Sequence, residues 1–455
     1  MKRKFLGNFL IRSVALLLIF ACAFMSACKK TETEGGNDDG YGGINPEPTG
    51  EYVVENGTSD YVIVVPAGNN DECIAFAATE LQTYIAKTTG VTLPVENDAN
   101  RFYDTSDHVF SIGNTVYLES AGLNTDYASL NGDGFVIKTE GSLIIFDAEI
   151  NTGFLNAVHY YIDEVLQVEF ISNRMEYVPE LENLPFYEIS LKRVPDFAVR
   201  TPNTYSQSRD PVYMSRLMFS PSVFSTASLG SKGEHLFNSQ GHGMTILVPD
   251  SLFSSHPEFF ANGTSIDQVC YTNGITDDGY MDESVSESTF KTALESAKQL
   301  ILENPELVYV DISPKDNGNT CQCARCRASN EKFGGYTGTL IVFANTLTEE
   351  LTKWAKAEGL NREVGARLLC YWTTIAPPVK NVNGTLEPAH ERSTPLENVN
   401  ILIAHMSCNA HPLTDENCTV NKTFLNHFNG WSVLTDNISI WDYITNFSHY
   451  FWWYN

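Results

Sequence analysis

The chain has 455 residues, of which 56 are Asp or Glu and 29 are Lys or Arg, so its formal net charge is −27 at pH 7. This excess of negative charge argues against nucleic acid and anionic lipid surfaces as partners. Roughly 400 residues of globular composition exceed what one hydrophobic core usually supports, which predicts two domains.

The N-terminus has the organisation of an export signal. Basic residues between Lys2 and Arg12 precede a short apolar stretch, which ends in small residues directly before Cys28. That order is typical of a cleavable signal peptide, not of a membrane-spanning helix. The small residues and Cys28 resemble a lipobox, so we expect removal of residues 1–27 and lipidation of Cys28. The expected location is the cell envelope, anchored to the outer membrane and facing the periplasm or the cell surface.

Two interpretations of this N-terminus stay open: a lipoprotein signal peptide, and an ordinary signal peptide that happens to contain a cysteine. Residues 28–50 are rich in Thr, Glu, Gly, Asn, Asp and Pro and contain almost no large apolar side chains. Such a segment cannot bury a core, so we predict a flexible tether.

A small α/β domain is predicted over residues 51–190. Apolar patterns predict a strand, a helix, a strand, two further strands, a helix and a strand, in that order, at 61–65, 71–88, 109–113, 134–139, 142–148, 152–166 and 168–172. Gly90 follows the first helix at the position that favours glycine. The region has no phosphate-binding loop, nucleophile elbow or metal-spaced His pair, so we expect a structural role.

Two stretches of this domain resemble a known one. The sequence A-A-T-E-L-Q-T-Y-I at 77–85, followed by T-T-G-V-T-L-P at 88–94, resembles the helix and exit of the non-catalytic N-terminal domain of α-glucuronidases and family 20 hexosaminidases. The sequence D-G-F-V-I at 133–137 is similar to a strand of the same domain. In those enzymes the domain precedes a catalytic barrel, so the resemblance implies that one follows in this chain.

Residues 195–455 alternate strands and helices in the manner of a (β/α)-barrel. One apolar helix face spans residues 290–301, with a capping-box spacing from Ser284 to Glu287, and another spans 340–354. Strands are predicted at 307–313, 366–372, 399–404 and 438–441. We find about six strands where a complete barrel has eight. The predicted fold class is therefore α/β, with a small α/β N-terminal domain followed by a (β/α)-barrel that is incomplete at its C-terminal end or belongs to a fragment.

Acidic, amide and aromatic side chains follow these strands at the rim, meaning the end of the barrel where the strands finish. They are Asp316, Asn317, Tyr371, Trp372, His405, Asp442 and Asn446. Cleavage of a glycosidic bond needs a carboxylic acid and a second stabilising group, so Asp316 and Asp442 are the predicted catalytic pair. The other five are predicted to bind substrate. As alternatives, Asp316 caps a turn, His405 is a core histidine, and the mid-strand Asp311 is a buried structural acid.

A cysteine motif lies just beyond Asp316. Cys321, Cys323 and Cys326 form C-x-C-x-x-C, which suits zinc if a fourth ligand comes from elsewhere. An exported protein also permits disulfides, although cysteines this close bridge each other only with strain. Metal, distant disulfides and free buried thiols stay open, and either a metal or a disulfide would staple the loop. Apart from such a structural zinc, we expect no cofactor.

Three stretches resemble the domain-of-unknown-function family 4838. They are His242 with L-V-P at 247–249 and H-P-E-F-F at 256–260; S-P-K-D-N at 313–317 with the cysteine motif; and W-D-Y-I-T-N-F at 441–447. The likeness runs over residues 195–455. Members look like glycoside hydrolases by architecture, so the resemblance implies a carbohydrate role and adds His242 to the substrate-binding residues.

The functional prediction is a surface-anchored lipoprotein that acts on an oligosaccharide or polysaccharide with glycoside-hydrolase-like chemistry. The alternative is a lipid-anchored glycan-binding protein that keeps the barrel without the reaction. The two differ in their carboxylates, because a hydrolase needs two acids, or one acid and a substrate amide, converging within about 5–10 Å. A metal-dependent hydrolase built on the cysteine motif is less favoured, since thiolate-rich sites are usually closed and structural.

Overall fold

A computed structural model describes residues 43–197, 199–200, 210–219, 241–305, 307–405, 408 and 411–442. The predicted signal peptide, Cys28, most of the predicted tether and Asn446 lie outside these ranges. Within them, no helix combines the length and the apolar character that a membrane span requires.

The first half is built on a mixed seven-stranded sheet with two short hairpin-like pairs beside it. The strands are β1 (Gly43–Ile44), β2 (Tyr52–Val54), β3 (Val62–Val65), β4 (Val95–Asn97), β5 (Val109–Ser111), β6 (Phe135–Glu140), β7 (Leu143–Asp147), β8 (Glu169–Ser172), β9 (Met175–Tyr177), β10 (Leu184–Pro185) and β11 (Ile189–Arg193). The order of the large sheet is β1-β11-β6-β7-β5-β3-β4, and β2 pairs with β10 and β8 with β9. The β3, β4, β5 and β7 strands are parallel, whereas β6 and β11 run antiparallel to their neighbours.

Three helices complete this half: α1 (Glu72–Thr89), α2 (Val116–Ser120) and α3 (Asn151–Glu164). The α1 helix begins because the Asp71 carboxylate accepts hydrogen bonds from two backbone N–H groups, and it ends at Gly90 with φ 77°. Its buried face includes Ala77 and Leu81. The elements predicted between residues 61 and 172 are confirmed to within two residues at each end.

Two residues near the end of the predicted tether are paired with a strand of the first half. Gly43 and Ile44 form β1 and pair with Ser190 and Ile189 of β11. The physical reason is that β11 is otherwise an edge strand, whose free backbone groups bind any segment that passes beside it.

The second half contains eight strands and six helices among the residues described. The strands are β12 (Phe260–Ala261), β13 (Ser265–Val269), β14 (Tyr309–Asp311), β15 (Gly365–Cys370), β16 (Val379–Val382), β17 (Thr385–Pro388), β18 (Val399–His405) and β19 (Ile438–Asp442). The helices are α4 (Pro211–Arg216), α5 (Met244–Leu247), α6 (Thr289–Glu303), α7 (Ala324–Phe333), α8 (Tyr336–Ala357) and α9 (Thr419–Ser432).

A parallel sheet in the order β14-β15-β18-β19 forms the centre of this half. The α/β class and the predicted strands are confirmed, but over the ranges that the structure covers the sheet is open and no closed barrel is formed. One face of the sheet packs on α6 and α8 through buried apolar residues such as Phe290, Leu347 and Leu368. The predicted capping box is wrong: Ser288 caps α6 by accepting from Lys291 N–H, while Ser284 bonds to Asp282 in a preceding turn.

The other face of the sheet carries Asp311 and Arg367, which lie side by side in the register of β14 and β15. Asp311 is fully buried, and that burial raises the pKa of its carboxyl group despite the nearby Arg367 charge. The Asp311 carboxylate accepts hydrogen bonds from Gly243 N–H and Ser313 N–H, both at 2.9 Å. Asp311 is thus buried, as the alternative interpretation predicted, and its structural role stays a prediction.

Buried apolar side chains form two main clusters, one between Val53 and Leu191 and the other between Met244 and Leu434. The α4 helix follows residue 195 in sequence but contacts the first half, because Arg216 forms an ion pair with Glu80 of α1. The boundary between the two predicted domains therefore stays a prediction.

Candidate functional site

The carboxyl ends of β14, β15, β18 and β19 meet at one edge, because all four strands are parallel. Two predicted side chains come into direct contact at this rim: the Tyr371 hydroxyl donates a hydrogen bond to the Asp316 carboxylate. Tyr371 directly follows β15 and is half-buried, whereas Asp316, in the loop after β14, is exposed. The structure thus couples an acid to a phenol at an accessible surface.

His242 joins this pair from a segment that crosses the end of the sheet. Its ring lies 5.8 Å from the Tyr371 ring in an edge-to-face arrangement, and its Nδ1 lies 2.6 Å from the Pro314 carbonyl oxygen. The carbonyl is an acceptor, so Nδ1 carries the proton. The neighbouring Gly243 comes so close that a Cβ atom there would lie 2.4 Å from the Asp311 carbonyl oxygen. Glycine is therefore required for this approach.

Trp372 presents the largest exposed apolar surface of the rim residues that the structure describes, with 64% of the residue accessible. Its backbone is in the left-handed region, with φ 49°, and His242 has φ 62°. Bulky residues rarely adopt this conformation, and strained residues tend to cluster at functional sites. The Tyr371–Thr374 capping box fixes the turn, and the indole lies over Gly318, where a Cβ atom would be 3.0 Å from the ring.

Asn317 is committed to contacts within its own neighbourhood. Its Oδ1 accepts from the Gln268 side chain at 3.1 Å and from Asn319 N–H at 3.0 Å, and its Nδ2 donates to the Asp267 carbonyl at 3.0 Å. These bonds connect the loop to β13, and the substrate-binding role of Asn317 stays a prediction.

The predicted residues of the last two strands are less closely associated with Asp316. Asp442 ends β19, is exposed, and lies opposite His405 in the parallel register. The β14 and β19 strands are the two outer strands of the sheet. Three strand spacings separate them, which amounts to about 14 Å on a flat sheet. Asn446 lies outside the described residues.

The cysteine motif meets a fourth cysteine that sequence reasoning did not identify. Cys270, directly after β13, lies with its Sγ 3.6 Å from that of Cys326 and 3.9 Å from that of Cys323. The four sulfur atoms, including that of Cys321, all lie within 4.8 Å of one another, and none forms a disulfide. The cysteine motif had predicted a ligand from elsewhere, but no local pattern around Cys270 marks it as that ligand.

Gln268 is a second residue that sequence reasoning missed. Its amide donates to the Lys315 carbonyl at 2.9 Å and accepts from Lys315 N–H at 3.1 Å. It is 1% exposed, so this two-way contact is shielded from water. Gln268 and Val269 are the buried residues of β13, and because the fold decides this burial, no local sequence pattern marks Gln268.

Two clefts of the described chain lie away from the rim. One, of about 490 Å³, is bordered by Val379 and His427, and another, of about 680 Å³, by Lys291 and Trp354. Neither is lined by any of the predicted rim residues.

A family model described as "Domain of unknown function (DUF4838)" matches residues 170–454, which confirms the resemblance found in the sequence. No curated protein matches the chain. The match begins at residue 170, earlier than the residue 195 that the motifs indicated.

Three solved structures are similar at low identity. The family GH20 β-N-acetylhexosaminidase of Streptomyces coelicolor A3(2) is 11% identical with a TM-score of 0.38, over 88% of this chain and 74% of that one. The family GH115 4-O-methyl-α-glucuronidase BtGH115A is 9% identical with a TM-score of 0.40, over 86% and 54%. CpGH84B is 13% identical with a TM-score of 0.33, over 85% and 60%. The chain therefore spans less than two thirds of the length of these last two proteins. At such scores the likenesses carry no functional conclusion.

Proposed function

The chain belongs, over residues 170–454, to the family described as a domain of unknown function (DUF4838), and we propose that it acts on carbohydrate at the rim. The observation that carries the proposal is the exposed Trp372 ring beside the Tyr371–Asp316 hydrogen bond. An indole offers a flat apolar face on which a sugar ring can stack. A carboxyl group beside that face is positioned to act on a glycosidic oxygen.

The proposed chemistry is that of a glycoside hydrolase. Asp316 in its acid form donates a proton to the leaving oxygen, and the Tyr371 hydroxyl fixes the orientation of its carboxyl group. His242 positions the Tyr371 ring from the other side through the edge-to-face contact. Asp442, or an amide of the substrate, stabilises the oxocarbenium-like transition state. Water forms the new bond to the anomeric carbon, and its proton passes to the Asp316 carboxylate, which regenerates the acid.

The distance between β14 and β19 constrains this mechanism. On a flat sheet the strands are about 14 Å apart, which is more than the roughly 5–10 Å over which two carboxyl groups cooperate. The proposed incomplete (β/α)-barrel shortens the span, because its strands curve around a common axis.

The same spacing favours a second candidate, a glycan-binding protein without hydrolytic activity. Asp316 and Asp442 are both exposed; Asp316 lies in the loop after β14 and Asp442 ends β19, and these are the outer strands of the sheet. An exposed aromatic ring with flanking carboxylates binds sugar hydroxyls whether or not the carboxylates converge on one bond. We propose for either candidate a lipid anchor at Cys28 that holds the protein in the cell envelope, at the outer membrane.

A glycan panel separates these functions. The purified protein is tested for hydrolysis by release of reducing ends and for binding by calorimetry. Asp316→Asn should lower turnover by about 100-fold or more with affinity nearly unchanged, whereas Trp372→Ala should weaken binding. Matched controls are Asp60→Asn and Phe102→Ala, which remove an exposed acid and an exposed ring of the first half.

Each outcome of the panel decides one question. Hydrolysis that survives Asp316→Asn at the wild-type rate would eliminate Asp316 as the acid. Binding without hydrolysis, lost in Trp372→Ala and kept in Phe102→Ala, would establish the glycan-binding candidate. Failure of every glycan to bind would refute the carbohydrate proposal.

A further inference from the structure

The four-cysteine cluster consists of Cys270, Cys321, Cys323 and Cys326, and its dimensions match a metal tetrahedron. With Zn–S bonds of about 2.3 Å, the sulfur atoms of a tetrahedral site lie about 3.8 Å apart. The Cys270 sulfur lies 3.6 Å and 3.9 Å from two of its neighbours. Disulfide bonding would instead draw sulfurs into pairs at about 2.05 Å, and all four cysteines are free.

We propose that these four cysteines bind one zinc ion in a closed structural site. Four soft sulfur ligands in a tetrahedral arrangement select zinc over the hard cations that prefer oxygen. The four sulfurs fill every position of the tetrahedron, so none is left for water or substrate. Binding converts the thiols to thiolates and releases their protons to solvent.

Backbone N–H groups lie against two of the four sulfur atoms. Asn262 N–H lies 3.3 Å from Cys321 Sγ, and Cys326 N–H lies 3.4 Å from Cys323 Sγ. Cys323 is also the N-cap residue of the ten-residue α7 helix, where the helix dipole stabilises negative charge. Such outer contacts orient metal ligands and tune their basicity. Four thiolates and one zinc ion together carry a net negative charge. The site has N–H donors in place that stabilise this charge.

Burial of the cluster explains why the ion would be structural. Cys270, Cys321 and Cys326 are each at most 6% exposed, and Ala261 packs against them. Water thus has little access to these three sulfurs, whereas Cys323 is half-buried, and the burial slows both metal loss and oxidation. A catalytic zinc would need an open coordination position facing a cleft.

The sequence positions of the ligands show what the ion would hold together. Cys270 follows β13, whereas the other three ligands belong to the loop after β14 and to the first turn of α7. Gln268, two residues before Cys270, bonds to the backbone of Lys315. The ion would therefore fasten the β12–β13 hairpin to the loop that carries Asp316, which the proposed function places at the rim.

A second group of candidate ligands supplies the internal control. Cys408, His411 and Cys418 also place their ligand atoms within 4.8 Å of one another, but they are three in number and His411 is exposed. Metal bound at this group would have nitrogen and sulfur ligands, which X-ray absorption distinguishes from four sulfurs.

The experiment measures metal in the full mature chain purified without chelators. Elemental analysis should find one equivalent of zinc, and zinc-edge absorption should show four sulfur ligands at about 2.3 Å. Cys270→Ser and Cys323→Ser should each lose most of the zinc, whereas Cys418→Ser should keep it. Because the cluster variants can misfold, the wild-type chain is also treated with a strong chelator. Its melting temperature should fall and recover on addition of zinc but not of magnesium.

Three results would overturn the proposal. The first is a wild-type chain without zinc whose mass, under non-reducing conditions, shows hydrogen lost to disulfides. The second is a full equivalent of zinc retained by Cys270→Ser. The third is a mixed nitrogen and sulfur shell, which would assign the metal to the Cys408 group. These measurements use no glycan, so their failure is separate from failure of the proposed function.

Discussion

The ion pair between α1 and α4 should make the first half of the protein sensitive to acid. Glu80 has only 6% of its side chain exposed, and Arg216 binds its two carboxylate oxygens at 2.7 Å and 2.9 Å. His159 Nε2 lies 3.5 Å from the same carboxylate. Burial alone would raise the pKa of Glu80, but the nearby His159 and the hydrogen bonds and charge of Arg216 outweigh it and lower that pKa to about 2.

The direction of the pH effect follows from the lowered pKa. The folded state holds Glu80 ionised at a pH at which the unfolded chain already binds a proton. Its stabilisation is therefore complete above pH about 4.5 and is lost as the pH falls to about 2. At 1.36 kcal/mol for each pKa unit, the contribution is about 3 kcal/mol.

Arg216→Met tests this magnitude because methionine keeps much of the aliphatic bulk and removes the guanidinium group. The Glu80 carboxylate then stays buried without the hydrogen bonds and charge of the guanidinium group. We therefore expect the free energy of unfolding at pH 7 to fall by about 3 kcal/mol. Lys353→Met is the matched control. It breaks the exposed ion pair with Glu350, which should contribute less than about 1 kcal/mol.

Hydrogen exchange of the α1 amides is the suitable assay. All Trp residues lie at or after Trp354, so tryptophan fluorescence follows the second half of the protein only. Exchange is measured at pH 7 and again at acid pH, and the rates are corrected for the pH dependence of intrinsic amide exchange. Equal protection of α1 in Arg216→Met and Lys353→Met would refute the reasoning, as would an acid sensitivity that Arg216→Met leaves unchanged.

Three further predictions concern single residues. Cys28→Ser should give an unprocessed or soluble protein, and mass spectrometry of the mature N-terminus checks this. Tyr371→Phe should lower turnover with glycan affinity retained, because it removes the hydroxyl that orients Asp316; equal losses in both would assign Tyr371 to binding. Gly243→Ala should destabilise the second half by about 1–3 kcal/mol, because its Cβ would overlap the Asp311 carbonyl. Urea unfolding followed by tryptophan fluorescence measures this loss of stability. An unchanged unfolding midpoint would contradict the close contact.

Sequence patterns predicted the elements that bury one face against a core. The α1 helix is an example, since its apolar residues recur at helical spacing and Asp71 and Gly90 mark its ends. The β4 strand was missed because all three of its residues are exposed and it has no alternating pattern. The β1 strand was missed because its pairing depends on the free edge of β11 and not on its own residues.

At the rim and in the cysteine cluster, too, some features follow from local sequence patterns and others depend on the fold. Placement of Asp316 and Tyr371 near each other follows from the rule that parallel strands end together, which needs only the strand assignments. The left-handed backbone of Trp372 and His242 could not be predicted, because both residue types usually avoid it. Cys270 lies 51 residues before Cys321 in the sequence, so only the fold of the β13 hairpin shows that the two meet.

The loop after β14 also bears on whether Asp316 is merely a turn residue. Capping of that turn is performed by Asn317, whose Oδ1 accepts from Asn319 N–H. The Asp316 carboxylate is instead bonded across to the Tyr371 hydroxyl, which belongs to another strand. Closing the turn does not require the Tyr371 hydroxyl. Holding an acid at a fixed angle beside an exposed ring does require such a partner. These two hydrogen bonds therefore support the proposal that the Asp316 carboxylate is the acid of the rim, with the Asn317 amide holding its loop in place.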